Sequence, residues 1–190
     1  MSIISTVEDE IISQVKSVLM KPGDEKLREV ETLPGAWSYD LLKRLLQKAP
    51  GVYVSFLGGT GKTKSSDAMI DGKFDVYAVT KLPNEEIRRR GNARVIGCYD
   101  ILGFILPQIN GHDIQDIGIL NLVGVDNLFG EAMFDLGGTV YSASFTIENM
   151  AFPFEADLAT LNDFATYNAD HSMAPGNDEP VAQDQVTLPQ

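Results

Sequence analysis

The most regular pattern in the chain lies in residues 139–152, TVYSASFTIENMAF, and it strongly constrains the fold. Apolar side chains occupy every second position from 141 to 147. Because successive residues of a strand point to opposite faces of a sheet, the pattern predicts a strand with one buried face. The other face meets solvent or a partner, and it supplies candidate contact residues: Ser142, Ser144 and Thr146.

Three helices are predicted from apolar periodicity and from helix start and stop signals. The first helix is predicted in residues 5–23, STVEDEIISQVKSVLMKPG, where the apolar residues form one stripe and Pro-Gly ends the helix. Ser5 and Glu8 have the spacing of a capping box. Residues 38–51, SYDLLKRLLQKAPG, have Ser38 as N-cap. Residues 93–106, ARVIGCYDILGFIL, precede a proline that should end or kink the third helix.

Further strands are predicted in GVYVSFLGG (51–59), KFDVYAVTK (73–81) and IGILNLVGVDNLF (117–129), the last of them buried. The order is therefore α-α-β-β-α-β-β. Because strands adjacent in sequence favour hairpins, we expect an α+β fold with a mainly antiparallel sheet and the helices packed on one face. Residues 1–154 are predicted to form this single domain. Residues 155–190 contain seven acidic residues and no Lys or Arg, and they are predicted to be an acidic, loosely structured C-terminal arm.

The segment SFLGGTGKTKSS (55–66) resembles part of a phosphate-binding P-loop. Gly61, Lys62 and Thr63 match the end of the pattern G-x-x-x-x-G-K-[ST], but Phe56 stands where the first glycine belongs. No helix is predicted directly after Thr63, although a P-loop needs a helix N-terminus to face the phosphates. The second interpretation is that residues 58–70, within a loop predicted over 58–72, form a flexible hairpin arm between two strands, in which Lys62 and Lys64 suit an acidic neighbour. A nucleotide-binding protein remains the alternative.

One basic cluster, EEIRRRG (85–91), is predicted to be charged and exposed. It is either a solvated turn with internal salt bridges or a contact with an acidic partner. Its candidate contact residues are Arg88, Arg89 and Arg90.

The remaining residues show no catalytic or metal-binding pattern. The two histidines, His112 and His171, lie at no metal-ligand spacing, and the single cysteine, Cys98, is predicted to be a buried structural thiol. The net charge of −12 argues against a protein that coats nucleic acid. No apolar run is long enough to span a bilayer. These observations predict a non-enzymatic protein without cofactor, metal or membrane contact.

The succession of segments resembles the tail-terminator (tail-completion) protein family of Mu-like contractile-tailed phages and prophages. The resemblance covers about residues 30–150 and rests on the order APGVYVSFLGG, KFDVYAVTK, RRRGNARVIGCYDILGFILPQINGHDI, ILNLVGVDNLF and TVYSASFTI. Each motif consists mostly of core and turn residues, so the order of the motifs carries the resemblance. The family supplies no catalytic residues to transfer.

The resemblance implies a structural virion protein that forms a hexameric ring at the head-proximal end of the tail. Such a ring ends tube and sheath growth and joins the tail to the neck. The implied partners are further copies of the chain, the tail tube protein, the tail sheath protein and a neck or head-completion protein. Genomic DNA would pass through the lumen without specific binding, and assembly would occur in the host cytoplasm. Another virion part, such as a tube or neck-stopper subunit, is a further alternative.

Overall fold

The structure is a computed structural model that describes residues 2–33, 37–62, 68–128, 130 and 135–152, and the backbone of 166–171 and 182–187. The chain divides into two compact units, Met1–Phe152 and Pro153–Gln190. The described part of the second unit is an antiparallel pair of strands. The predicted nature of residues 155–190 as a loose acidic arm stays a prediction.

The helices of the first unit are α1 (Ile3–Leu19), α2 (Tyr39–Gln47), α3 (Glu85–Arg90) and α4 (Cys98–Ile109). Its strands are β1 (Met20–Lys21), β2 (Asp24–Glu25), β3 (Glu29–Thr32), β4 (Gly51–Gly61), β5 (Ala68–Lys81), β6 (Asp113–Ile114), β7 (Gly118–Ile119), β8 (Asn121–Asn127) and β9 (Gly138–Phe152). The second unit contains β10 (Thr166–His171) and β11 (Ala182–Thr187).

The main sheet has five strands in the order β3-β4-β5-β9-β8. Only β3 and β4 pair in parallel, and the three other pairs are antiparallel. The predicted α+β class, the mainly antiparallel sheet and the order of the seven main elements are confirmed. The polar link before α2 contains the unpredicted edge strand β3, in which Glu29 accepts a hydrogen bond from the hydroxyl of Tyr53 at 2.7 Å.

The first helix begins earlier than the capping-box spacing predicted. Its N-cap is Ser2, so Ser5 lies inside the first turn and its hydroxyl donates to the carbonyl oxygen of Ser2 at 2.8 Å. Glu8 instead accepts a hydrogen bond from the backbone N–H of Phe56 at 2.9 Å, where β4 has a bulge. The capping box is therefore wrong, and Glu8 connects α1 to the sheet.

The larger core lies between one face of the sheet and helices α1 and α4. The apolar stripe of α1 packs there as predicted, with four residues fully buried: Val7, Ile11, Val15 and Leu19. The inward side chains of β9 on this face include Ala143, Phe145 and Ile147, all fully buried. The predicted orientation of the apolar residues of β9 is confirmed.

Helix α2 packs on the opposite face, which corrects the prediction that all helices share one face. Its four buried leucines contact a second core with Tyr53 of β4, Tyr77 and Val79 of β5, and Val140 of β9. At this end of the sheet, β4 and β5 are apolar on both faces, so both faces need a cover. The predicted N-cap is confirmed, because the Ser38 hydroxyl accepts a hydrogen bond from the N–H of Leu41 at 3.1 Å.

The predicted third helix begins at Cys98 and not at residue 93, and the basic cluster before it forms the separate short helix α3. Gly91 has φ 73°, and a Cβ on Gly97 would lie 2.2 Å from the nitrogen of Gly91. The backbone of Gly97 therefore packs closely against the end of α3. Helix α4 begins directly after Gly97. Pro107 lies inside α4, which ends two residues later at Ile109. The helix therefore does not end at Pro107, and the alternative that this proline kinks it stays a prediction.

Cys98 is a buried structural thiol, as predicted. Its side chain is fully buried, and its Sγ lies 3.2 Å from the hydroxyl of Thr80. Burial raises the pKa of the Cys98 thiol to about 11. Among the described residues, no helix is both long and apolar enough to cross a membrane.

Replacing Gly103 with alanine should stabilise the fold. Gly103 lies inside α4, and a Cβ there would meet no atom within 4 Å, so the substitution only removes backbone entropy from the unfolded chain. We expect the free energy of unfolding to rise by about 0.5–1 kcal/mol in urea titrations. Gly97→Ala is the matched control and should destabilise the fold. A destabilised Gly103→Ala would show that this side of α4 is more crowded than described.

The thiol of Cys98 should resist modification in the folded protein. Both its burial and its raised pKa keep the reactive thiolate away from reagent near pH 8. We expect Ellman's reagent to detect no thiol in the native chain and one thiol per chain in guanidinium chloride. Rapid native labelling would contradict a well-packed α4–sheet interface.

Candidate functional site

The glycine-rich segment forms part of a paired ribbon that extends the sheet. Strand β4 continues to Gly61 and β5 begins at Ala68, with Gly59 opposite Gly72 and Gly61 opposite Ile70. The hairpin interpretation is confirmed, although the predicted loop over 58–72 is mostly strand. We call residues 58–62 and 68–73 the arm. Lys64 lies outside the described residues.

Lys62 forms an ion pair within the arm. Its Nζ lies 2.7 Å from Oδ2 of Asp71, and the backbone N–H of Asn149 donates to Oδ1 of the same carboxylate at 2.9 Å. The Lys62 ammonium and this N–H lower the pKa of Asp71. The ammonium therefore binds a carboxylate across the hairpin and contributes to the register of the arm.

This geometry does not resemble a P-loop. Gly58, Gly59 and Gly61 belong to a strand that pairs with β5 along its length. In the described part of the chain, the element that follows Lys62 is strand β5. Among the residues that the structure describes, a triphosphate would therefore find neither the helix N-terminus nor the nest of convergent N–H groups that a P-loop provides.

The basic cluster forms the short helix α3, and its three arginines have different environments. Arg88 is only 4% exposed, and its guanidinium donates to the carbonyl oxygen of Leu82 at 2.8 Å. The prediction that the whole segment is exposed is wrong for Arg88, because its side chain folds back against the end of β5. Arg89 and Arg90 lie 3.6 and 3.8 Å from Glu85 and Glu86, one turn away. Their contact with a partner stays a prediction.

The polar face of β9 is more covered than its alternation indicated. Ser142 is only 2% exposed and lies on the face that α2 partly covers, so it is not a wet surface residue. Ser144 donates a hydrogen bond to Oδ1 of Asp75 at 2.6 Å, and Tyr77 donates to Oδ2 of the same carboxylate at 3.1 Å. Thr146 is half-buried. The three side chains therefore share a face, but they do not form one open contact surface.

Strand β8 is an exposed edge, although its sequence predicted a buried strand. It is the last strand of the sheet, and all of its residues are exposed except Gly124, which is half-buried. Val123 is 67% exposed, at a bulge opposite β9. The run of apolar residues carried no signal for this position, because periodicity cannot tell a central strand from an edge strand. This surface was missed by the sequence reasoning.

Two other polar contacts fix elements around the sheet. Nε2 of His112 lies 2.8 Å from Oε1 of Glu10, so this turn histidine contacts α1 and is not simply solvated. Hydrogen bonds from Gln14 first, and then from His112, lower the pKa of Glu10. The hydroxyls of Tyr99 and Tyr141 lie 3.1 Å apart. Among the described residues, no group of three or more His, Cys, Asp or Glu could hold a metal ion.

Comparisons with known proteins identify the family. The sequence profile of the family described as "Bacteriophage Mu, Gp37" matches residues 3–150. The chain is 28% identical over 179 residues to "Mu-like prophage FluMu protein gp37" of Haemophilus influenzae. That alignment covers 94% of this chain and 85% of the relative. The chain is also 27% identical over 139 residues to "Probable tail terminator protein" of Escherichia phage Mu. This second alignment covers 73% of this chain and 71% of the relative.

A solved structure, "Virion of native gene transfer agent (GTA) particle", aligns with 78% of this chain and 98% of its own chain at a TM-score of 0.47 and 9% identity. The family profile spans α1 to β9, the same residues that form the first compact unit apart from a few at its ends. The chain therefore belongs to the bacteriophage Mu Gp37 family, a tail terminator family, and is a structural protein of a phage tail.

Proposed function

We propose that the chain forms a closed ring, with six copies expected, at the head-proximal end of a contractile phage tail. The ring ends growth of the tube and sheath and joins the tail to the neck. The observation that carries this proposal is the alignment with the probable tail terminator protein of phage Mu, which extends over 139 residues. An alignment over 73% of this chain and 71% of the relative supports a shared structural role because it extends far beyond a single motif.

The fold offers features that suit a ring subunit. The arm extends the sheet as a hairpin, and both edges of the sheet, β3 and β8, lack a further strand among the described residues. Such edges and extensions are available for contacts with neighbouring copies or with the tube. The sequence also has a net charge of −12, which would keep a lumen from retaining the phosphates of passing DNA.

The proposal is tested by the size and the activity of the purified full chain. We expect mass photometry to detect one closed oligomer, and we expect this oligomer to stop elongation when it is added to polymerising tail tube protein. Electron microscopy should then find it at one end of each tube. Unlimited polymerisation of the chain alone would indicate a tube subunit. A closed oligomer that leaves tube growth unchanged would indicate a neck component.

Nucleotides should not stabilise the protein. A ligand present at 100 times its dissociation constant stabilises a folded protein by about 2.7 kcal/mol, which a thermal shift assay detects readily. Because Lys62 is paired with Asp71 in a strand hairpin, we expect no shift with Mg-ATP or Mg-GTP. A shift of several degrees that is absent in Lys62→Ala would instead revive the nucleotide-binding alternative.

A further inference from the structure

Charge is distributed very unevenly along the chain. All 15 Lys and Arg lie in residues 1–94, together with 13 of the 27 Asp and Glu. Residues 95–190 contain the other 14 acidic residues and no Lys or Arg. In the fold, residues 95–152, which contain α4 and the strands β6 to β9, therefore carry no lysine or arginine. Every described lysine and arginine lies before them, in α1 to α3, in β1 to β5 or in the segments that connect these elements and lead into α4.

Residues 95–190, the part of the chain without lysine or arginine, contain the largest run of exposed apolar side chains among the described residues. We call it the β8 patch, and it consists of Ile119, Leu122, Val123 and Val125. It lies along the outer edge of the sheet, where no further strand pairs with β8 in the described part of the chain. Exposed apolar edges of this kind are sites of association unless another element covers them.

Acidic side chains flank the β8 patch. Asp113 lies opposite Ile119 in the β6–β7 hairpin, and Asp126 follows Val125 within β8. Both are exposed, and neither forms an ion pair with another described residue. Leu122 and Val125 lie opposite Phe145 and Ala143, whereas Asp126 lies opposite Ser142 on the other face of the sheet. An element that covers the β8 edge therefore meets apolar side chains on one face and this carboxylate on the other.

A complementary surface lies on helix α2. The inner side of α2 is fixed by its four leucines, and the outer side presents Tyr39, Lys43 and Arg44, which we call the α2 patch. Tyr39 is 54% exposed and lies one turn before Lys43. Neither Lys43 nor Arg44 pairs with an acid among the described residues, whereas the half-buried Arg89 and the exposed Arg90 of α3 already face glutamates. Tyrosine and arginine are enriched at the centres of protein interfaces.

We infer that the β8 patch of one copy docks against the α2 patch of the next copy. The inference rests on the proposed function, because it identifies which surfaces join neighbouring copies. A helix laid over a sheet edge is a common way to cover it, and here the helix comes from another molecule. Tyr39 packs on the exposed valines and leucine, and Lys43 and Arg44 face Asp113 and Asp126.

The two patches differ, so the contact is heterologous and each copy uses both of its surfaces. A heterologous contact gives a closed ring when its rotation closes and a filament when it does not. Charge also opposes the competing self-contact: two β8 patches brought together would place their unneutralised carboxylates side by side. Such like-charge repulsion selects against edge-to-edge pairing and favours the head-to-tail contact.

A charge-swap experiment on the full chain tests this inference. Lys43→Glu with Arg44→Glu places like charges across the proposed contact, as does Asp113→Lys with Asp126→Lys. We expect each pair to weaken assembly at least tenfold in mass photometry. We expect the fourfold variant, with both pairs exchanged, to regain most of the oligomer. All four positions are exposed, so the melting temperature of the dissociated subunits should stay close to wild type.

Two further variants make the result specific. Val123→Glu should dissociate the oligomer through its apolar centre, whereas Lys16→Glu, an exposed cation of α1 outside both patches, should leave assembly unchanged. If the variants at both patches assemble like wild type, the inference is wrong and the proposed ring uses other surfaces. If wild type itself never forms a closed oligomer, with or without tube protein, the proposed function fails.

Recovery in the fourfold variant is the decisive result, because a merely structural defect at either patch would not be repaired by the second pair. Loss of tube capping by the α2 variant with an intact oligomer would also overturn the inference. That outcome would assign the α2 patch to the tube protein and not to a second copy.

Discussion

The fold depends on a short stretch of sheet that is apolar on both faces. Where β4 and β5 run side by side, Val52, Val54, Val76 and Ala78 point to one core, and Tyr53, Tyr77 and Val79 point to the other. Burying a side chain of this size contributes about 1.5–3 kcal/mol, so leaving either face open would cost much of the stability of a domain this small. Helices α1 and α4 therefore cover one face, and α2 covers the other. The strands then extend past these helices into the arm.

This two-sided requirement explains which parts of the fold the sequence could predict. The alternation in β9 and the cap at Ser38 are local patterns, and both were correct. The side on which α2 packs is not local, because its leucine stripe fits any apolar surface equally well. The burial of Ser142 follows from the position of α2, and the burial of Arg88 follows from the way α3 folds back on β5. The periodicity of apolar residues shows which side of a strand or helix a residue lies on, but it does not show which element covers that side.

The same distinction between local and tertiary information applies to the candidate sites. Gly61-Lys62-Thr63 matches the end of a phosphate-binding motif, but the motif has chemical meaning only when a helix follows the loop. The pairing of Gly61 with Ile70 and of Lys62 with Asp71 gives these two residues of the motif a structural role in the hairpin. For β8, the apolar run Leu122–Val125 is compatible with a central strand or an edge. Only the strand order identifies it as an edge, and this is why the most exposed apolar surface could not be predicted.

Open edges would impose a conflict on a protein that assembles into the ring proposed above. In the proposed ring, the edge strand would have to bind a neighbour firmly enough to close the ring without pairing with any other strand edge it meets, since such pairing extends without limit. Segregated charge is one way to satisfy both conditions. With all lysines and arginines in residues 1–94, the residues of β6 to β8 carry acidic but no lysine or arginine side chains, and the unpaired cations of α2 lie elsewhere on the same chain. Attraction then acts between unlike surfaces of two copies and repulsion between like surfaces, so the charge pattern sets the direction of assembly while apolar contact supplies its affinity.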